Sequence, residues 1–311
     1  MTADLTAVAG AELATDQLAT ERLAARATAP APRPKARAGP LEWILIHLTF
    51  LVVSVFFLVP FVWLLSAAFD AKATAYIQFP VEPTIMNFVR IFTEHDFGRV
   101  LVNSVFVAVA TMILVVATVA LAGYSLSRLD LRRKDWITYA VLLLQTMPIS
   151  ATMVPIYGLA RQLGLRNSYL GLILIHAAIE LPFLIWLMKG FFDSIPRHLE
   201  EAAWLDGRSK LRALVEIVLP LARPGLGIAA GLAFLSAWAE VLMVVILIDQ
   251  DSLKTVPLAF YEAMRTQGGY VEVQYGVIAA MAVIYLLPVM VVFFAARRLM
   301  VRGLMSSTRG L

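Results

Sequence analysis

Two carboxylates, Glu180 and Glu240, stand inside long apolar runs, where an ionised group is expensive unless it faces a cavity or a partner. His176 precedes Glu180 by four residues, so on a helix the two share a face and are placed to hydrogen-bond. For Glu180 a contact between helices, and for Glu240 a helix kink or inter-helix contact, compete with a substrate or pathway role. The four histidines, His47, His95, His176 and His198, are scattered, and none forms a metal-binding HExxH frame. The chain has no cysteine, which excludes disulfides, thiolate metal sites and cysteine nucleophiles. Glu200 and Glu201 are adjacent, so on a helix they point in different directions and do not make a catalytic pair. No GxxxxGK[ST] phosphate loop is present, so nucleotide hydrolysis is not expected of this chain.

The elements that hold these residues are apolar helices. Of 311 residues, 60% are hydrophobic and 15% charged, and the mean hydropathy is +0.79. A soluble domain carries about a quarter charged residues. Six runs reach the roughly 20 residues that a bilayer-spanning helix needs: about 43–69, 101–125, 137–160, 168–188, 222–247 and 275–296. The third contains Met147-Pro148 and Pro155, and prolines inside spans are tolerable where neighbouring groups satisfy the freed carbonyl. The predicted fold is all-α, a polytopic membrane protein with six transmembrane helices. Residues 1–40, rich in Ala, Pro, Arg and Thr, read as a mostly disordered cytoplasmic tail with a short helix over 10–27, and residues 41–311 as the transmembrane domain.

Charge placement orients the helices. Five Lys or Arg residues lie in the tail, four in 126–136, six in 189–223 and four after the last run, against three, two and two in the alternate segments. The positive-inside rule then puts both termini in the cytoplasm. The net charge of +4 suits this topology better than a nucleic-acid partner. The outer segments, 70–100 and 248–274, carry Phe79-Pro80, Asn87-Phe88, Thr255-Val256-Pro257-Leu258 and Gln267-Gly268-Gly269-Tyr270, and the first is expected to be partly helical.

The cytoplasmic segment after the fourth run is the longest such connection. Pro196 can open a helix, Glu200 and Glu201 complement its N-terminus, and Ala202-Ala203 offer a closely approachable surface. Gly207 breaks it and can adopt positive φ. A second helical stretch over 209–218 should end before Pro220. The segment reads either as an interfacial linker or as a docking element for a cytoplasmic protein.

Glu201-Ala202-Ala203, three residues, Gly207, nine residues, Ile217, one residue and Leu219-Pro220, with Asp206 before the glycine, resemble the EAA motif of binding-protein-dependent ABC importer permeases. The resemblance covers nearly all of 41–311 and is closest to the carbohydrate-type, MalG-like members. Asn103-Ser104, Gly123-Tyr124, Gln145-Thr146-Met147-Pro148, Leu163-Gly164-Leu165, Leu181-Pro182-Phe183 and Val301-Arg302-Gly303-Leu304 share it. It implies a type I importer permease fold in a prokaryotic inner membrane. Within 191–220, Glu200, Glu201, Ala202, Ala203, Asp206 and Gly207 would couple the chain to an ATPase. The implied partners are a MalF-like second permease, two ATPase subunits that bind ATP and magnesium, and an extracytoplasmic sugar-binding protein. The cargo would be a sugar such as maltose, maltodextrin or trehalose. Tyr124, Gln145, Glu180, Trp238 and Glu240 are the candidate substrate-pathway residues. The sequence departs from the family at Trp238-Ala239-Glu240-Val241, where the usual amide beside the glutamate is missing. The competing reading is a stand-alone proton-coupled carrier, for which Glu180 is the kind of acid required.

Overall fold

The computed structural model describes residues 39–130, 132–264 and 273–307. The helix expected over 10–27 and the Gln267–Tyr270 stretch lie outside them. The described residues form two units that divide within the first helix, at Leu58/Val59.

The first helix, α1 (Pro40–Ala68), begins where Pro40 meets no penalty for its missing N–H. In the first unit His47 Nδ1 lies 2.8 Å from the Trp43 carbonyl, and the two rings stand 3.9 Å apart. In the second unit the end of α1 is followed by α2 (Met86–Thr93), α3 (Phe97–Arg128), α4 (Lys134–Leu144), α5 (Ile149–Gln162) and α6 (Tyr169–Asp193). Then come α7 (His198–Leu205), α8 (Lys210–Ala213), a π turn over Leu214–Val218 and α9 (Leu219–Leu221). The chain closes with α10 (Arg223–Ala239), α11 (Leu242–Leu247), α12 (Val256–Met264) and α13 (Tyr275–Ser307).

This is an all-α membrane protein. Among the described residues α1, α3, α6 and residues 275–295 of α13 are each long and apolar enough to cross a bilayer, and two bent helix pairs bring the number to six if each pair crosses once. The expected third run is not one helix: α4 and α5 meet at 90°. Pro148 has an extended ψ of 132° and its ring opposes helical geometry in the residue before it, so the helix restarts at Ile149. Pro155, by contrast, stays within α5. The expected fifth run is interrupted at Glu240, whose backbone is extended at ψ 123°. Nor does the second stretch of the connecting segment stop before Pro220. A π turn, closed by the Leu219 N–H on the Leu214 carbonyl, precedes it, and the wider ring accommodates a proline that a regular helix would reject.

Helices in lipid associate through close backbone approach at small residues rather than through hydrophobic transfer. α3 and α6 meet in this way at Gly123, where a Cβ would lie 3.0 Å from Met188 Cβ and 3.2 Å from the Lys189 nitrogen. Around this contact Val115, Val119, Leu184, Met188 and Phe192 are fully buried with Ala229 and Ala233 of α10. Gly225 of α10 lies under the Phe191 ring, which a Cβ would meet at 2.5 Å. Two hydrogen bonds set the register of α3 against α6: Tyr169 Oη to Asn103 Oδ1 at 2.7 Å, and Ser127 Oγ to Asp193 Oδ1 at 2.6 Å. Both numbers increase together, so the two helices run parallel.

Candidate functional site

The connecting segment folds as a helix, a glycine turn and a second helix. α7 carries Glu200 and Glu201 in its first turn, where the helix dipole favours negative charge. Its end is a Schellman motif: the Gly207 N–H donates to the Trp204 carbonyl at 3.0 Å and the Arg208 N–H to the Ala203 carbonyl at 3.0 Å. The motif requires a left-handed residue, and Gly207 supplies φ 79°. Ser209 then caps α8 by accepting from the Arg212 N–H. Glu216 pairs with Arg208 across the turn.

The two adjacent glutamates face opposite ways. Glu200 is 1% exposed. Its Oε1 accepts from Arg128 Nε at 2.5 Å and its Oε2 from Tyr124 Oη at 2.7 Å. Glu201 is exposed with Ala202, Leu205, Asp206 and Gly207, whereas Ala203 is buried. Leu205 is 90% exposed, and Lys210 Nζ covers the Trp204 ring at 5.6 Å. The outer face of α7 thus presents one acid, a small residue and an apolar tip.

The six residues expected to couple the chain to a partner therefore separate into two groups: Glu200 and Ala203 face the helices, while Glu201, Ala202, Asp206 and Gly207 are open. Tyr124, expected on a substrate path, is instead bonded to Glu200 beside α7. Arg128, which sequence reasoning passed over as one of several basic residues in a loop, is the other ligand of that carboxylate. The signal for it was its spacing: Tyr124 and Arg128 are four apart, one turn of the same helix.

A second polar set crosses from α6 to α10 and the α10–α11 break. Ser236 Oγ donates to Glu180, and His176 Nε2 lies 3.6 Å from Glu240 Oε2. The pairs are one helical turn apart on both sides, with numbers that run in opposite directions, so they form two rungs between antiparallel helices. The expected His176–Glu180 bond is absent: Glu180 turns to Ser236 and His176 to Glu240. His176 is 2% exposed, and neither ring nitrogen has a hydrogen-bond partner among the described residues. Glu240 itself caps the broken helix, accepting from the Leu242 N–H at 2.9 Å and the Met243 N–H at 2.8 Å. A carboxylate here satisfies donors that the helix restart leaves free.

Trp238 is 1% exposed, stacked at 5.7 Å on Phe234 and at 5.1 Å on Tyr285, so it is a packing residue and not an open sugar platform. Gln145 is exposed at the α4–α5 bend, on the rim of a cavity of about 630 Å³ lined also by Thr152, Ile179 and Pro182. Glu180 and Glu240 thus stand on neighbouring rungs of the α6–α10 contact, Gln145 on a cavity rim that Ile179 and Pro182 share, and Trp238 in the packed interior.

At the other end of α3, Asn103 Nδ2 donates to the carbonyls of Ser252 and Lys254, both at 2.9 Å, and Ser104 Oγ accepts from the Val256 N–H at 2.7 Å. Nearby, Asp70 closes the loop that follows α1. Burial opposes its charge, but the N–H groups of Glu82, Val81 and Lys72 and the Gln78 amide together outweigh burial and hold its carboxyl below the usual carboxylate range. Asn87 Nδ2 fastens the same loop by donating to the Ala68 and Asp70 carbonyls. Gly276 of α13 packs there, where a Cβ would meet Asn87 at 2.4 Å. Among the described residues no group of three His, Cys, Asp or Glu is placed to hold a metal ion.

Residues 38–305 match the family described as binding-protein-dependent transport system inner membrane component. The chain belongs to this family. This permease is 32% identical to the sulfoquinovosyl glycerol transport system permease protein SmoH of Agrobacterium fabrum, over 79% of the chain and 87% of that protein. It is 32% identical to the trehalose transport system permease protein SugB of Mycobacterium tuberculosis, over 80% and 91%. It is 31% identical to the maltodextrin transport system permease protein MdxG of Bacillus subtilis, over 86% and 96%. The permease fold is also that of a chain in the crystal structure of a bacterial ABC transporter involved in the import of the acidic polysaccharide alginate. The TM-score is 0.74 at 21% identity, over 86% of this chain and 99% of that one.

Proposed function

We propose that this permease is one of two membrane-spanning subunits of an ATP-driven importer for a di- or oligosaccharide of the maltose, maltodextrin or trehalose kind. It crosses a prokaryotic inner membrane six times, with α4–α5 as one bent crossing and both termini in the cytoplasm. The second subunit is a MalF-like permease, and the sugar passes between the two. An extracytoplasmic binding protein delivers the sugar to the outer loops around Asn103 and Lys254. ATP and magnesium act on two separate ATPase subunits.

The observation that supports the reading best is the two-faced α7. Its outer face, with Glu201, Ala202 and the nine-tenths exposed Leu205, ends in a fixed glycine turn, while its inner face is bonded to α3. Such a helix is built to be gripped on one side and to act on the other. Glu201 contacts the ATPase through its free carboxylate, and Ala202 permits close approach. Coexpression with an ATPase and second permease encoded beside it, reconstitution with the binding protein, and assay of ATP hydrolysis over a sugar panel test this. Stimulation by one sugar class, lost in Glu201→Lys, is expected. Absence of any co-purifying ATPase would refute it.

The buried His176–Glu240 rung favours a second reading, a proton-coupled carrier that works alone. Uptake by the reconstituted single chain under a proton gradient, abolished in Glu240→Gln, would establish it in place of the importer.

A further inference from the structure

The inner face of α7 carries a buried ion pair whose arrangement goes beyond docking. Glu200 is 1% exposed, and the side chain of Arg128 10%. The two carboxylate oxygens are held by separate donors of α3, Tyr124 and Arg128, one helical turn apart. Two donors a turn apart on α3 fix the orientation of the one carboxylate, and the rotation of α7 is set by this anchor together with the ties of the chain that leads into it. The rest of Arg128 is committed to the same junction: Nη2 donates to the Ile195 carbonyl at 2.9 Å and Nη1 to Ser127 Oγ at 3.0 Å. Arg197 Nη2 returns to the Ser127 carbonyl at 3.0 Å. Asp193, which takes the Ser127 hydroxyl, also holds Lys189 at 2.7 Å. The chain leading into α7 is therefore tied to the last turn of α3 at residues 193, 195, 197 and 200. Just above, Gly123 brings the α3 backbone against Met188 and Lys189 of α6 with no compliant side chain between.

We propose that Tyr124, Arg128 and Glu200 are positioning residues that make α7 and the inner end of α3 one rigid body, so that displacement of α7 is delivered to α3 and not absorbed in the connecting segment. This rests on the reading of α7 as an ATPase-docking helix. A buried charge pair stabilises little relative to well-packed apolar groups, but it fixes geometry, because each partner is satisfied in one arrangement only. Glu200 and Glu201 thus divide the work: Glu201 meets the partner and Glu200 passes the movement on.

The test has two arms. The sequence holds no cysteine, so Leu121→Cys with Leu205→Cys places one spin label on α3 and one on α7, both at exposed positions. In the permease alone in nanodiscs, the label separation is expected as one narrow distribution. It should broaden when Tyr124→Phe and Glu200→Gln, which preserve shape and volume, are introduced together. In the reconstituted transporter without labels, the same pair of substitutions is expected to lower sugar moved per ATP hydrolysed by about fivefold, the range in which couplings through a protein respond to mutation. The ATPase should still co-purify in wild-type proportion. A broad distribution in the wild type, or wild-type sugar-to-ATP ratios in the variant, overturns the proposal. Loss of ATPase binding in the variant also overturns it, since Glu200 would then act in docking. Failure of the ATPase to bind the wild-type chain refutes the importer reading instead, and the label arm still reports on the link itself.

Discussion

Gly207 is the residue at which a single added methyl group isolates backbone conformation from packing. Its φ is 79°, and a Cβ built there meets nothing within 4 Å. Gly207→Ala therefore adds no clash, and its cost is that of an L-residue in the left-handed region, about 1 kcal/mol. That lowers the ratio of formed to unformed turn by about fivefold. Gly207→Pro is a different perturbation. Proline fixes φ near −65°, far from the native value, and removes the N–H that donates to Trp204, at a cost of about 3 kcal/mol or more. Gly158→Ala serves as the control, since Gly158 lies within α5 with nothing within 4 Å of its Cβ position. It should stabilise by about 0.5–1 kcal/mol. The assay is ATPase affinity for the purified permease, read beside thermal unfolding in detergent. The expected order is wild type and Gly158→Ala alike, Gly207→Ala weaker by no more than about fivefold, and Gly207→Pro without binding. Wild-type affinity in Gly207→Pro would refute the argument that the turn presents the docking face.

Three further outcomes follow from the geometry. Asp70 has a native value held below that of the unfolded carboxyl, so its stabilisation is present above about pH 4 and disappears as pH falls through the lowered native value. Protection of the Val81 and Glu82 amides, relative to their intrinsic exchange rates, should hold at pH 5 and above and fall only in stronger acid, while Asp70→Ala, which removes the acceptor of both N–H groups, should lower it at neutral pH at a cost of about 1–3 kcal/mol. Gly225→Ala drives a Cβ into the Phe191 ring and should cost about 1–3 kcal/mol in thermal unfolding, with Phe191→Ala in the same chain recovering part of the loss. Asn103→Ala removes two hydrogen bonds to the Ser252 and Lys254 carbonyls, worth about 2 kcal/mol together, and proteolysis near residue 252 should rise by up to about thirtyfold.

The apolar runs were legible because a span needs length and composition only, and the described helices fall on them. Gly207 was legible too, since a glycine that ends a short helix has one common reason to be there. The reading went astray where geometry between distant helices decides. His176 and Glu180 share a face of α6, and the four-residue spacing suggested a bond within that helix. The antiparallel register of α6 and α10 instead bonds Glu180 to Ser236 and leaves His176 3.6 Å from Glu240, without a hydrogen bond. Tyr124 is a substrate-path candidate as an aromatic group that can also hydrogen-bond. Its hydroxyl is consumed by Glu200, 76 residues later in the chain. Glu240 is different: a role in a helix kink or between helices is what its place inside an apolar run suggests, and it does cap a helix restart, accepting from the Leu242 and Met243 N–H groups. Pro148 carried its own warning: the constraint it places on the residue before it outweighed the tolerance that lipid-embedded helices show for proline.

The central claim is that α7 couples an external ATPase to sugar passage through this permease. It is tested most directly by sugar uptake into proteoliposomes that contain the full transporter, its binding protein and internal ATP, with wild type compared to Glu201→Lys. The account predicts ATP-dependent uptake in the wild type and none in the variant, whose outer face keeps its backbone but carries a reversed charge at Glu201. Uptake that proceeds in the wild type without ATP, or continues undiminished in Glu201→Lys, would contradict it.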